Sequence, residues 1–144
     1  FMSAIHRIRA DFAPSYALDC GAGIGRVTKQ LLLQFCVKVD MLEPSPRLLE
    51  QSKTYLGEKA NSIGRYICSG MEAFEPVEKD IYDLIWCQWV MVHLSDVDFV
   101  SFLRKCKEVG AQDETTPWIN LHLESSSEWS TRDQRKRLDE WRRL

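Results

Sequence analysis

The chain has 144 residues, 44% of them hydrophobic and 28% charged, with a formal net charge of -2. That length allows one ordinary globular domain and no more. The charge balance argues against an electrostatic nucleic-acid binder, and the lack of an 18-residue apolar run excludes a helical membrane span.

The opening residues Phe1 to His6 lack the charged-then-apolar order of a signal peptide, so none is expected. Position 1 is Phe rather than Met, as expected of a fragment. The first strand is predicted over Ala17 to Asp19. The run Asp19-Cys20-Gly21-Ala22-Gly23-Ile24-Gly25 follows, and a helix is predicted from Arg26 to Phe35. Strand, glycine turn and helix, in that order, make a nucleotide-binding βα unit. Glycines there let the backbone turn tightly and approach a ligand closely. A dinucleotide fingerprint would need its third glycine at position 26, which is Arg26; here it is Gly25. An ordinary strand-to-helix turn is the bland alternative.

A second strand is predicted from Val37 to Leu42, ending at Glu43-Pro44. Glu43 lies 18 residues after Gly25, where a doubly wound fold places an acid that accepts hydrogen bonds from ribose hydroxyls. Asp40 is the rival, but it falls inside the strand. The next helix runs from Pro46 to Leu56, with Ser45 as cap and Gly57 as stop. Short strands are expected over Tyr66 to Ser69 and Tyr82 to Gln88. A helix is expected over Val97 to Lys107, capped by Ser95 or Asp96, and a fifth strand over Trp118 to Leu123. Alternating strands and helices imply a Rossmann-like, doubly wound parallel sheet. Gly21, Glu43, Met71 to Glu72 and Gln88 then gather at the carboxyl edge, where such sheets bind ligands. The segment 124–144 reads as a charged tail, helical from 132, with Leu138, Trp141 and Leu144 on a narrow apolar stripe. The five scattered cysteines suit buried thiols in a reducing compartment better than disulfides or zinc, and no metal is expected.

The acid followed by Gly-x-Gly-x-Gly resembles the first motif of S-adenosylmethionine-dependent methyltransferases. Ala17 to Arg26 as a whole resembles the cofactor loop of the protein α-N-terminal methyltransferases, which modify proteins beginning Xaa-Pro-Lys. Lys53 to Gly57, Ile85 to Val90, His93-Leu94 and Phe102 to Lys107 are similar to the same family. The likeness covers about residues 16–107 and implies a class I methyltransferase core over 1–123, incomplete at both ends.

The resemblance implies S-adenosylmethionine as cofactor, with Gly21, Gly23 and Arg26 around it and Arg26 near its carboxylate. It implies Glu43, Pro44 and Ser45 on the ribose side, Met71 and Glu72 by the adenine, and Gln88 by the methionine end. Trp89 would wall the substrate channel, and His93 would face the reacting amine as its base. Read without the resemblance, Trp89 is equally a core aromatic and His93 a surface or capping histidine. Nothing after Lys107 matches the family's Asp-Asn strand end or its later acid, so a catalytically silent cofactor- or partner-binding relative is the alternative. A small-molecule methyltransferase is a third reading. Expected partners are protein N-termini, with neither nucleic acid nor membrane. The expected location is nucleus and cytoplasm, and oligomeric state is left open.

Overall fold

The computed structural model describes residues 14–78, 81–90 and 93–109, and the backbone of Trp118–His122. The 124–144 tail lies outside the described residues.

Five parallel strands form one sheet: β1 (Tyr16–Cys20), β2 (Lys38–Leu42), β3 (Ile63–Ile67), β4 (Leu84–Gln88) and β5 (Trp118–His122), in the spatial order β3-β2-β1-β4-β5. The helices are α1 (Arg26–Gln30), α2 (Pro46–Leu56) and α3 (Asp96–Val109). The order in which successive strands are laid down reverses between β1 and β4, which opens a crevice at their carboxyl ends.

Both faces of the sheet are covered. Ala17, Val39, Leu84 and Trp86 pack with Leu31 and Leu32, just after α1. Met41, on the same face of β2 as Val39, packs with Leu49 and Leu56 of α2. Leu18, Cys20, Leu42, Ile85 and Cys87 pack on the other face with Phe99, Phe102, Leu103 and Cys106 of α3. Burial on both faces explains why β4 is apolar from Leu84 to Cys87 rather than alternating. This is the doubly wound arrangement predicted above.

Local signals located α2 to the residue. The Ser45 hydroxyl accepts from Leu48 N at 3.4 Å, Pro46 opens the helix, and Gly57 ends it at φ +61°. At α3 the cap is Ser95, whose hydroxyl accepts from Asp98 N at 3.2 Å. Several boundaries differ from expectation; α3, expected over Val97 to Lys107, runs from Asp96 to Val109. The first helix is α-helical only to Gln30; after Leu31 it tightens into a 3-10 turn over Leu32–Gln34. β4 begins at Leu84, and Tyr82 before it turns its hydroxyl to Asp40 at 2.6 Å. β3 lies three residues earlier than predicted, because Gly64 and Arg65 disguise it. A Cβ on Gly64 would collide with Asp40 and Tyr16, and Arg65 donates to the buried Asp40 at 2.8 Å.

Among the described residues no helix is long and apolar enough to cross a membrane. All five cysteines are free; Cys20, Cys36, Cys87 and Cys106 are buried, but Cys68 is exposed at the end of β3. Burial holds the Cys20 and Cys106 thiols well above the ordinary range, which keeps them protonated and inert.

Candidate functional site

The loop after β1 carries three consecutive odd-numbered glycines in the left-handed region: Gly21 at φ +68°, Gly23 at +57° and Gly25 at +87°. Each has its own reason. A Cβ on Gly21 would drive into Val90, and one on Gly25 would press on Met41 at 3.1 Å. A Cβ on Gly23 meets nothing within 4 Å, so that glycine faces open space. The loop is hooked to β2, since Gly21 N and Ala22 N both donate to Leu42 O, at 2.8 and 3.1 Å.

Glu43 completes the hook. Its buried carboxylate accepts from Gly23 N at 3.0 Å through Oε2 and from Ser45 N at 2.9 Å through Oε1. Each oxygen keeps a second lone pair for another donor. Asp40, the rival acid, is fully buried within β2. Tyr16 and Arg65 also donate to it, at 2.7 and 2.8 Å, so it is committed to the core.

A cavity of about 700 Å³ opens at the crevice between β1 and β4. Gly21, Gly23, Arg26, Gln88 and Trp89 line it, together with Val27 and Gln30 of α1 and Leu31 and Gln34 just after it. Five predicted site residues thus come together. Glu43, Pro44, Ser45, Met71 and Glu72 do not line this cavity; they follow β2 and β3, with Glu43 bonded to the glycine loop. Pro44 and Glu72 are exposed and Ser45 is half-buried. The Met71 side chain is buried in the core beside Leu42 and Phe74. His93 is exposed, in the turn between β4 and α3, with its backbone N–H donating to Val90 O at 3.2 Å. It is not among the cavity-lining residues. Trp89 is half exposed and holds φ +59°, a strained conformation for a bulky residue and of the kind that gathers at functional sites.

Two participants went unassigned in the sequence. Asp19, two residues before Gly21, is buried, and its Oδ2 accepts from the Thr28 hydroxyl. Thr28 is the third residue of α1, and its backbone N–H also favours the charged carboxylate. Gly25 at the N-cap has no side chain to offer, so Asp19 caps the helix from below. Burial nevertheless raises the Asp19 carboxyl to about 7. The second is Trp86, whose indole meets Gln88.

Asp19 carries a pH prediction. Its carboxyl binds a proton more tightly in the folded chain than in the unfolded one. Its contribution to stability is therefore present at low pH and lost as pH rises toward 7, on the order of 2–3 kcal/mol between pH 5 and 8. Asp19→Asn keeps an oxygen for the cap and removes the titration. Urea denaturation should show the wild type losing ground to Asp19→Asn across that range. A difference independent of pH would refute it.

The sequence comparisons meet this geometry. The family described as AdoMet dependent proline di-methyltransferase matches residues 2–117. The chain belongs to that family. N-terminal Xaa-Pro-Lys N-methyltransferase 1 of Homo sapiens is 53% identical over 93 residues, 65% of this chain and 41% of that protein. Its counterpart in Xenopus tropicalis is 52% identical over 91 residues, 63% and 40% respectively. The chain thus spans about two fifths of the length of these curated relatives. A SAM-dependent methyltransferase of Leishmania major superposes with a TM-score of 0.77 at 30% identity, covering 96% of this chain and 58% of that one. The proline di-methyltransferase family is AdoMet-dependent by its description. The glycine loop, the open face at Gly23 and the Glu43 carboxylate suit such a ligand.

Proposed function

We propose that the chain binds S-adenosylmethionine at the glycine loop and transfers its methyl group to the α-amine of proteins beginning Xaa-Pro-Lys. The observation that carries the reading is the tie from Glu43 to Gly23 N beside a 700 Å³ cavity, in a chain 53% identical over 93 residues to an enzyme named for that substrate. Gly21, Gly23 and Arg26 would hold the amino-acid end with Gln88, and Arg26 would meet its carboxylate. Glu43, Pro44 and Ser45 would take the ribose side, and Met71 and Glu72 would flank the adenine. When bound, the cofactor supplies a methyl group activated on a sulfonium.

The chain's own residues prepare the amine. Trp89, half exposed at the cavity, walls the approach. An α-amine is largely protonated near neutral pH and attacks only after losing its proton. A ring nitrogen of His93 takes that proton, and its exposure lets water carry the proton off. Alignment of amine and methyl supplies much of the rest. The same reading places the protein in nucleus and cytoplasm, where its free thiols stay reduced; fractionation of a tagged chain checks this.

Incubation with S-adenosylmethionine and a Ser-Pro-Lys-Arg peptide, followed by mass spectrometry, should show methyl groups added at the peptide N-terminus. Tight cofactor binding with no change in peptide mass would instead make the chain a silent binder.

A further inference from the structure

Trp86 and Gln88 stand two residues apart on β4, so both side chains project from the same face of the sheet. Trp86 is buried, only 4% exposed, and does not line the large cavity; Gln88 is partly exposed and does. Trp86 Nε1 donates to Gln88 Oε1 at 3.2 Å. An indole nitrogen can only donate, so the amide must turn its oxygen toward Trp86. The opposite orientation would set N–H against N–H and leave a buried donor without an acceptor. The Gln88 NH2 is thereby directed away from the indole. Arg26, on the same cavity wall, is also a pure donor.

We propose that Trp86 is a positioning residue: its indole fixes the Gln88 amide so that Nε2 donates into the cavity and selects an acceptor oxygen there, the carboxylate of the cofactor's amino-acid end. The inference rests on the cofactor reading above and adds the polarity of one contact and the residue that sets it. It also makes Gln88 intolerant of its nearest isostere. In Gln88→Glu one carboxylate oxygen can still accept from Trp86, but the other opposes the ligand's carboxylate.

The test is isothermal titration of the full chain and its variants with two ligands. These are S-adenosylhomocysteine, which has the amino-acid end, and 5′-methylthioadenosine, which lacks it. Gln88→Glu should bind S-adenosylhomocysteine at least tenfold more weakly than Gln88→Ala. Trp86→Phe should cost several-fold in the wild-type background and nothing further in Gln88→Ala. None of the three should change 5′-methylthioadenosine binding. Should Trp86→Phe fail to fold, the two Gln88 variants carry the test alone, at a partly exposed position.

A ligand-free readout stands beside it. The Trp86 indole proton, assigned in nitrogen-15 spectra by its disappearance in Trp86→Phe, should move upfield and exchange faster in Gln88→Ala. An indole proton indifferent to Gln88→Ala, or a Gln88→Glu variant that binds as well as Gln88→Ala, overturns the proposal. Equal losses for both ligands overturn the carboxylate as the partner. Failure of the wild-type chain to bind S-adenosylhomocysteine, with the indole response intact, overturns the cofactor reading instead.

Discussion

Gly23→Val should abolish binding of S-adenosylhomocysteine while leaving the circular dichroism spectrum close to that of the wild type. Two effects act together. Position 23 holds φ +57°, which a β-branched residue resists. The side chain would also project into space that holds nothing else in the protein, within 4 Å of the Cβ position. A clash with the core would unfold the chain, but a side chain in open space removes only what enters that space. The strained loop would also loosen the hydrogen bond from Gly23 N to Glu43 Oε2. A binding loss of a hundredfold or more corresponds to about 2.7 kcal/mol. Titration calorimetry reads it, and an affinity within threefold of wild type would take Gly23 out of the site. Gly21→Ala is the contrasting case. Its methyl group would collide with Val90, so its main cost should fall on stability.

The largest loss of stability should come from Asp40→Ala. Asp40 is fully buried and accepts from Tyr16, Tyr82 and Arg65 at 2.6–2.8 Å. The four residues tie β1, β2, β3 and the approach to β4 together. Removing the carboxylate strands the Arg65 guanidinium and two phenol hydroxyls. Breaking a fully buried ion pair on one side typically costs about 3–5 kcal/mol; Arg65 is about a third exposed, so the loss should fall at or below the lower end of that range, still a large share of a domain's stability. Asp40→Asn, which keeps an acceptor, should cost less. Chemical denaturation checks both, and an Asp40→Ala loss under about 1 kcal/mol would contradict the network. The same carboxylate helps hold the Tyr16 phenol up at about 12, after burial, the larger cause. Ultraviolet titration of Asp40→Ala should find that phenol ionising at lower pH.

The sequence made the scaffold legible wherever a signal was local. Ser45, Pro46 and Gly57 each act on their own stretch of backbone, so α2 could be read without its neighbours. The alternation of strands and helices announced a parallel sheet with helices on both faces. β3 was placed too late because its first residues answer to distant partners: Gly64 makes room for Asp40 and Tyr16, and Arg65 answers a charge on β2. The turn after β1 was read from its glycines, and the position of Glu43 at the end of β2 from the apolar run before it. What spacing cannot carry is direction. That Met71 turns into the core, that Trp89 holds a positive φ and that Trp86 reaches Gln88 are decided by packing between strands. Asp19 was visible as a motif residue, but its cap on α1 needed the loop closed in space.

The central claim is that the carboxyl edge around the glycine loop is the cofactor site. Nitrogen-15 chemical-shift mapping during titration with S-adenosylhomocysteine tests it most directly. The largest perturbations should fall on the amides of Gly21, Gly23, Gly25, Glu43, Ser45, Gln88 and Trp89. A second, smaller cavity of about 50 Å³, between Arg65, Pro76, Tyr82 and Val109, should stay silent. Saturable perturbations confined to that cavity, or none at the glycine loop, would contradict the account.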